Sequence, residues 1–181
     1  MIIPDDELIK AFRDGNDIAF ITLYNRYKHA IYNFCLKMLA NSDTAKDAVQ
    51  CVFLKVYEKR DQLQQPGRFR SWLFAIARNE CISNFRKNKI FSPLTDDIAE
   101  TSPDSSISSV DRDREIALVN SAIIQLDPDL REVIILREYE NLSYREVGDI
   151  VGIPEKTVKS RLFRARQMIY EILKPLFSER S

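Results

Sequence analysis

The feature that most limits the fold of this chain is the spacing of its apolar residues. On both sides of one polar stretch they recur every three or four positions, which is the period of an amphipathic α-helix. Only four glycines occur in 181 residues, which disfavours a loop-rich β architecture. We therefore predict an all-α protein with two small helical domains, one on each side of the polar stretch.

The polar stretch, FSPLTDDIAETSPDSSISSVDRDRE, occupies residues 91–115 and is rich in serine, aspartate and proline. Its seven acidic and two basic residues give it a net charge of −5. A segment of this composition cannot bury enough apolar surface to fold alone, which predicts a flexible acidic linker. The predicted organisation is a domain in residues 1–90, the linker in 91–115 and a second domain in 116–181.

The second domain carries start and stop signals that predict a helix-turn-helix motif. Ser143 and Glu146 have the S-x-x-E spacing of a capping box, and Gly152 suits the left-handed residue that ends a helix. Pro154 then opens a longer helix, for which Pro175 is the expected end. A helix, a short glycine turn and a second helix form the helix-turn-helix pattern.

Positive charge gathers on the second helix of this motif. The stretch GIPEKTVKSRLFRARQMI, residues 152–169, has five basic residues and no acidic one between Lys156 and Arg166. This occurs in a chain whose 27 basic and 27 acidic residues cancel. Apolar residues at helical spacing predict one buried stripe. Its members are Val158, Leu162, Ala165, Met168, Ile169 and Leu173.

The opposite face of this helix has the chemistry that a reader of the DNA major groove needs. Cations bind phosphates, hydrogen-bond donors meet base edges, and an apolar ring can meet a thymine methyl group. The N-terminal part of the second helix is the part that enters the groove. A solvated basic face is the alternative interpretation, and we favour DNA contact. The face comprises Lys156, Lys159, Ser160, Phe163, Arg164 and Gln167.

A second basic segment occupies residues 66–90. Its cations are interleaved with aromatic rings, which suits single-stranded nucleic acid because unstacked bases need platforms. The part WLFAIA, residues 72–77, is apolar on every side, so Trp72, Leu73 and Ile76 are assigned to the core. The candidate contacts with a single strand are Phe69, Arg70, Arg78, Asn79, Asn84, Arg86 and Lys87.

Enzymes and membrane proteins receive little support from the sequence. The three cysteines are isolated within apolar patterns, which indicates buried thiols in a reducing, cytoplasmic environment. His29 has no pattern of a nucleophile or metal ligands near it, so we expect neither catalysis nor a metal or cofactor. No membrane span or signal peptide is expected, because a long apolar run is missing.

Four segments of the chain, in family order, resemble the bacterial RNA polymerase sigma factors of the small extracytoplasmic-function (ECF) group. They are DGNDIAFITLYNRYKHAIYNFCLKML, DTAKDAVQCVFLKVYEK, GRFRSWLFAIARNECISNFRK and LDPDLREVIILREYENLSYREVGDIVGIPEKTVKSRLFRARQMI. Together they cover nearly the whole chain except the linker. The resemblance implies that the first domain is sigma region 2 and the second is sigma region 4. It also implies binding to promoter DNA and to the clamp and flap of core RNA polymerase.

The resemblance further implies roles for individual residues. Asn79 matches a position that helps hold a minus-ten base flipped from the stack, near the loop of residues 64–70. In the segment that docks on the polymerase clamp, the matching positions are Asp47, Gln50, Phe53 and Leu54. In the last helix, Lys159, Ser160, Phe163 and Arg164 match positions that meet the minus-thirty-five duplex, and Lys156, Thr157, Arg161 and Arg166 complete the predicted set.

The chain departs from the family pattern at four positions. Gly148 stands where alanine is usual, and mid-helix glycine weakens a helix by up to about 1 kcal/mol. Lys156 adds a cation where glycine is common. Cys51 and Asn84 replace acidic residues. Members of the ECF group are often held by an anti-sigma factor, frequently a membrane-bound one, so such a partner is implied without direct membrane insertion of this chain.

Two other functions remain open at this point. A helix-turn-helix repressor or activator would bind DNA unaided, as a dimer, and would leave the basic segment 66–90 without a role. A structural adaptor built from helical bundles would leave the basic face of residues 156–166 without one. Binding to duplex promoter in the absence of polymerase distinguishes the first of these from a sigma factor.

Overall fold

The structure is a computed structural model that describes residues 3–63, 66–91 and 110–178. Within these ranges its regular secondary structure is helical, which confirms the predicted all-α class. Short 3-10 helices precede the fourth α-helix, at Arg60–Gln62 and Pro66–Arg68, and a π-helix at Ile135–Tyr139 follows the sixth. The α-helices of the described ranges are α1 (Asp5–Arg13), α2 (Asp17–Leu39), α3 (Ser42–Glu58), α4 (Phe69–Phe91), α5 (Val110–Ile124), α6 (Pro128–Ile134), α7 (Tyr144–Val151) and α8 (Glu155–Ser178).

Capping residues satisfy the free backbone groups at the ends of several of these helices. The Asn41 side chain accepts a hydrogen bond from the Thr44 N–H at 2.9 Å and begins α3. At α7, Ser143 Oγ accepts from the Glu146 N–H at 3.2 Å, and the Glu146 carboxylate accepts from the Ser143 N–H at 2.8 Å. Gly152 ends α7 with φ 78°, a conformation that glycine adopts without steric strain. The predicted capping box and helix stop are confirmed.

Helices α1 to α4 belong to the first of two compact units. Helix α2 packs against α1, α3 and α4, and the rings of Phe34 and Phe74 meet edge to face with centroids 5.6 Å apart. Lys55 on α3 forms an ion pair with the buried Glu80 on α4. This packing fixes the two helices, α3 and α4, that carry the predicted polymerase-binding and minus-ten residues.

The second unit is built mainly on α8, which packs against α5 and α6. Buried Arg131 on α6 reaches the end of α5, where its Nη2 donates to the Leu126 carbonyl at 3.0 Å and also to the Ile124 carbonyl. Burial lowers the pKa of Arg131, while the two carbonyls satisfy donors of its guanidinium. These bonds secure the turn between α5 and α6.

Gly148 lies where α7 approaches the turn that leads to α8. A Cβ atom at this position would lie 2.8 Å from the Ile153 carbonyl oxygen, which is a steric clash. The Gly148 carbonyl accepts hydrogen bonds from the Gly152 N–H at 2.8 Å and the Ile153 N–H at 3.1 Å. Helix propensity alone indicates that Gly148 destabilises α7. The close approach of the Ile153 carbonyl, however, requires a residue without a Cβ atom at this position.

Part of the segment that we predicted as linker is helical. Helix α5 begins at Val110, inside the predicted linker of residues 91–115. The apolar period begins only at Ile116, so it cannot locate a helix start made mostly of charged residues, of which arginine and glutamate are good helix formers and aspartate is favoured near a helix N-terminus. Residues 92–109 lie outside the described part of the chain, and the domain boundaries therefore stay a prediction.

The predicted end of the last helix is also wrong. Helix α8 continues through Pro175 to Ser178. A proline removes one hydrogen bond of the helix ladder and adds a local clash, and three further residues remain helical here. Within the described ranges, none of the helices combines the length and apolar character needed to cross a membrane.

Candidate nucleic-acid interface

Helix α8 separates a buried stripe from an exposed polar face. Val158, Leu162 and Ala165 are buried, as predicted. The predicted stripe is wrong beyond them, because Met168 is 37% exposed and Ile169 is only half-buried. Periodicity identifies the inward face of a helix, but it does not tell how far along the helix its neighbours extend.

The exposed face carries a cationic ridge, which we define as Lys156, Lys159, Ser160, Phe163 and Arg164. Phe163 is 62% exposed although it is a large apolar residue. It follows buried Leu162, and the turn of about 100° per helical residue carries its ring away from the core. All five members of the ridge are exposed, which gives α8 cations, a hydroxyl group and a ring on one accessible surface.

The cations of the ridge differ in their partners. Lys159 pairs with Glu155, one helical turn earlier, at 2.8 Å, whereas no ion pair engages Lys156 or Arg164 among the residues that the structure describes. The hydrogen bond to Glu155 raises the pKa of Lys159. Ser160 Oγ donates to the Thr157 carbonyl at 3.0 Å, inside the helix. Thr157 itself is half-buried.

Arg166 lies beyond the ridge and pairs with Glu138, which the π-helix contributes. A side-chain hydrogen bond to Glu138 raises the pKa of Arg166. Both side chains are about half exposed, at 54% for Arg166 and 44% for Glu138. This ion pair therefore faces solvent, and its cation is accessible to a partner.

Arg161 has a different environment, because it points toward α6. Its Nη2 lies 3.3 Å from an Asp129 carboxylate oxygen, and its Nη1 lies 3.6 Å from an oxygen of Glu132. The Glu132 side chain is 1% exposed and that of Arg161 is 24% exposed. The predicted DNA contact by Arg161 is corrected to a structural ion pair, because this cation neutralises an almost buried acid.

Sequence reasoning missed the acidic partners of these cations. Glu155 lies one residue before the basic run, and its i,i+4 spacing to Lys159 was a readable signal. Glu138 and Asp129 are distant in sequence, so only the fold brings them to α8. Tyr144 was also missed, and its ring centroid lies 4.7 Å from the Arg137 guanidinium carbon and 5.3 Å from Lys159 Nζ.

Helix α4 presents polar residues of the predicted minus-ten set. Asn79, Arg86 and Lys87 are exposed, while Arg70 and Arg78 are half-buried. The Arg70 guanidinium carbon lies 5.8 Å from the ring centroid of Phe74. Half-buried Asn84 donates from Nδ2 to the Glu80 carbonyl at 3.0 Å. In the loop of residues 64–70, positions 64 and 65 lie outside the described residues.

The prediction that Phe69 contacts nucleic acid is wrong. Phe69 is 1% exposed, and its ring meets Tyr27 edge to face at 5.4 Å and lies 6.2 Å from the Trp72 ring. The start of α4 turns this ring into the first unit, so it is a core residue. Leu73 is buried as predicted, whereas Trp72 and Ile76 are only half-buried.

Three of the four predicted polymerase-binding residues lie exposed on one face of α3. Asp47 and Gln50 are exposed, and Leu54 is 59% exposed. Their spacing of three and four residues places them side by side on the helix. Phe53 is wrong as a contact, because it is 4% exposed and its ring meets Tyr24 edge to face at 4.7 Å.

The cysteine prediction is confirmed at two positions and wrong at one. Cys35 and Cys81 are buried, whereas Cys51 is exposed on α3. Cys51 precedes buried Val52 and Phe53. Its apolar neighbours in the sequence therefore suggested a buried position, although its side chain is exposed. It lies beside Gln50 on the side of α3 that also bears Leu54.

Comparisons with known proteins identify the family of the chain. The family models for Sigma-70 region 2 and Sigma-70 region 4 match residues 23–90 and 116–169, respectively. The chain is 31% identical to the ECF RNA polymerase sigma factor SigW of Bacillus subtilis, over 93% of this chain and 96% of that protein. It is 30% identical to the RNA polymerase sigma-H factor of Pseudomonas aeruginosa, over 97% of this chain and 96% of that protein.

A solved structure is similar as well. The sigma factor RpoE from Bartonella quintana, crystallised with the anti-sigma factor NepR, matches with a TM-score of 0.71 and 27% identity. The match covers 86% of this chain and 96% of that chain. The chain therefore belongs to the sigma-70 family of RNA polymerase sigma factors, and within that family to the extracytoplasmic-function group.

Proposed function

We propose that this chain directs core RNA polymerase to specific promoters through two separate DNA-binding surfaces. The cationic ridge of α8 binds the minus-thirty-five element as duplex. The exposed polar residues of α4 hold the minus-ten element as a melted strand. The chain performs no covalent chemistry in this scheme, because the polymerase supplies the catalytic site.

The observation that carries the proposal is the exposure of Phe163 beside accessible cations. A ring that is 62% exposed is well placed to cover a thymine methyl group in the major groove. Lys156 and Arg164, which no ion pair engages within the described ranges, supply charge for phosphates. Lys159, Ser160 and Arg166 complete this surface, and Thr157 supports it from a half-buried position.

The proposed role of α4 rests on charge and hydrogen-bonding groups. Asn79 offers an exposed amide that can bond a base edge, and Arg86 and Lys87 offer exposed cations for the strand backbone. Arg70, Arg78 and Asn84 lie behind them, half-buried. Unstacking a base costs a few kcal/mol, which such contacts offset. Because Phe69 is buried, it is not part of the proposed contact.

The proposed polymerase contact is the α3 face formed by Asp47, Gln50 and Leu54. Leu54 is the apolar centre of this face at 59% exposure, with polar residues beside it, as in many protein interfaces. We assign this face to the polymerase clamp and part of the second unit to the flap. Leu54→Ala should weaken binding to core polymerase at unchanged stability, whereas Phe53→Ala should first destabilise the fold.

We also propose that an anti-sigma factor binds this chain. The support is the similar RpoE structure, which was solved with the anti-sigma factor NepR. Co-expression with the product of an adjacent gene, followed by competition with core polymerase, tests this partner. An adjacent product that binds without displacing core polymerase would contradict the proposal for that candidate.

Reconstituted transcription is the experiment that tests the main proposal. Genomic fragments are transcribed by core polymerase with and without this chain, and defined start sites should appear only when both are present. Filter binding of the chain alone to the same promoters should be weak, because in this proposal core polymerase sets the spacing between the two surfaces. Tight, specific binding by the chain alone would instead support a repressor or activator.

A further inference from the structure

The acidic partners of the α8 cations are not explained by promoter binding. We propose that Glu155 and Glu138 act as built-in competitors of DNA phosphate for Lys159 and Arg166, and so weaken binding to DNA of arbitrary sequence. This inference rests on the proposed DNA-binding role of α8. It adds to that role two acidic residues that set how readily the surface accepts a duplex.

The first competitor lies at the start of α8. Glu155 and Lys159 are one turn apart, with their charged atoms at 2.8 Å and side chains 49% and 56% exposed, respectively. This is the end of the helix that the proposed complex places in the groove. A phosphate that approaches Lys159 therefore meets a carboxylate already in place, and it must displace that carboxylate to form an ion pair.

The second competitor comes from a different part of the chain. The π-helix Ile135–Tyr139 contributes Glu138, whose carboxylate accepts a hydrogen bond from Arg166 Nη2. The exposed fractions, 54% and 44%, leave both groups in contact with water. The pair is open to exchange, since a phosphate can reach the guanidinium from the solvent side.

Comparison with the other cations of α8 separates exchangeable pairs from fixed ones. Arg161 pairs with Glu132, whose side chain is 1% exposed, so releasing Arg161 would remove a cation from beside an almost buried acid. Lys156 and Arg164 have no ion pair among the described residues and need no exchange. Lys159 and Arg166 fall between these cases, because each is held by one exposed acid.

Exposed ion pairs contribute little free energy, so exchange with phosphate is feasible but not free. Binding to arbitrary DNA depends almost entirely on phosphate contacts, and each neutralised phosphate adds about −0.9 to the slope of log K against log salt. A cation that is already paired contributes less than a free one. Removing either acid should therefore tighten this binding and steepen its salt dependence.

The test uses the full chain without polymerase and a fluorescent duplex of arbitrary sequence, with binding measured by anisotropy over a range of salt concentrations. Glu138→Gln and Glu155→Gln should each bind about two- to fivefold more tightly than the wild type, with a steeper salt slope. Glu171→Gln is the matched control, because Glu171 is an exposed acid on α8 with no ion pair in the described part of the chain. It removes the same charge from the same helix.

A double-mutant cycle tells whether Glu138 acts through Arg166. In an Arg166→Gln background, the gain from Glu138→Gln should fall to the gain from Glu171→Gln, because no cation remains to be released. A larger gain that persists in this background would overturn the inference, and so would a gain in the wild-type background that merely equals the gain from Glu171→Gln. Weaker binding by Glu155→Gln at unchanged melting temperature would also overturn it for Lys159, since the acid would then position the cation instead of competing for it.

The inference and the proposed function fail in different experiments. Glu155 also stabilises the N-terminus of α8 by its charge, so thermal unfolding accompanies each binding curve. The Glu138 variant does not have this complication and keeps the test decisive. If the wild-type chain supports no promoter-dependent transcription, the proposed function is wrong. If the Glu138→Gln and Glu155→Gln variants bind DNA only as tightly as Glu171→Gln does, the inference alone is wrong.

Discussion

Helices α4 and α8 both combine cations with aromatic rings, yet they use the rings in opposite ways. In α8, Phe163 is 62% exposed, whereas in α4 Phe69 and Phe74 are exposed by only 1% and 0%. Packing against neighbouring helices explains the difference. Phe163 follows buried Leu162 by one residue and is exposed, whereas Phe74 follows buried Leu73 by one residue and is buried against Phe34. Composition finds basic aromatic segments, but packing against other helices decides whether a ring is available to a partner.

The largest expected effect comes from truncating one ring in each helix. Phe74→Ala should lower the free energy of unfolding of the first unit by about 3–5 kcal/mol, because it leaves a cavity in the core. Phe163→Ala should change stability by less than about 0.5 kcal/mol but weaken binding to the minus-thirty-five duplex. Urea unfolding followed by circular dichroism and promoter-dependent transcription measure the two outcomes. A large loss of stability in Phe163→Ala would break the comparison.

Two arginines three residues apart sharpen the comparison within α8. Arg161→Ala should destabilise the second unit by about 1–3 kcal/mol, since the almost buried Glu132 loses a cation. Arg164→Ala should leave thermal unfolding unchanged and reduce recognition of the upstream promoter element while polymerase binding is retained. Equal losses of promoter recognition and polymerase binding in Arg164→Ala would indicate misfolding instead.

The presentation of α8 also depends on the turn that precedes it. Gly148→Ala should destabilise the second unit by about 1–2 kcal/mol, because an added Cβ would meet the Ile153 carbonyl oxygen at 2.8 Å. Helix propensity alone predicts the opposite sign, with a gain of up to about 1 kcal/mol. The thermal midpoint of the variant distinguishes the two. A raised midpoint would mean that the turn relaxes without cost.

The smallest effect concerns single exposed cations on the two helices. Lys156→Ala should reduce the salt slope for duplex binding by about 1, because one phosphate contact is lost. Lys87→Ala, the matched change on α4, should leave the duplex slope unchanged and weaken binding to a melted or single-stranded minus-ten segment. Titrations of both variants against duplex and single-stranded probes measure this division. Equal effects on both probes would show that the two helices are not specialised.

Local signals in the sequence predicted local structure well. Two such signals are the capping box at Ser143 and Glu146 and the left-handed Gly152. Each depends only on residues a few positions apart, so a short stretch of sequence is enough to predict it. The family resemblance added the order of regions along the chain. The buried stripe of α8 was also predictable as far as Ala165, because its members there follow the helical period.

Features that depend on other elements were not predictable in this way. Phe53 and Phe69 lie in segments that suggest binding surfaces, but Tyr24 and Tyr27 of α2 cover them. Arg161 lies within an acid-free run, yet α6 supplies its acids from residues about 30 positions earlier. A helix has one period, and only tertiary packing tells which side faces a neighbour and which charges are already neutralised.

The π-helix at Ile135–Tyr139 has a consequence for how this chain tolerates insertions and deletions. In this wide turn the Glu140 N–H bonds the Ile135 carbonyl, five residues back. Deleting one residue between Ile135 and Glu138 would allow an ordinary α-turn and would move Glu138 back by one position, which is about 100° around the helix axis. Glu138 would then face another direction and leave Arg166 without its carboxylate. A deletion of one residue in this segment would thus remove the ion pair between Glu138 and Arg166 without changing any residue of α8.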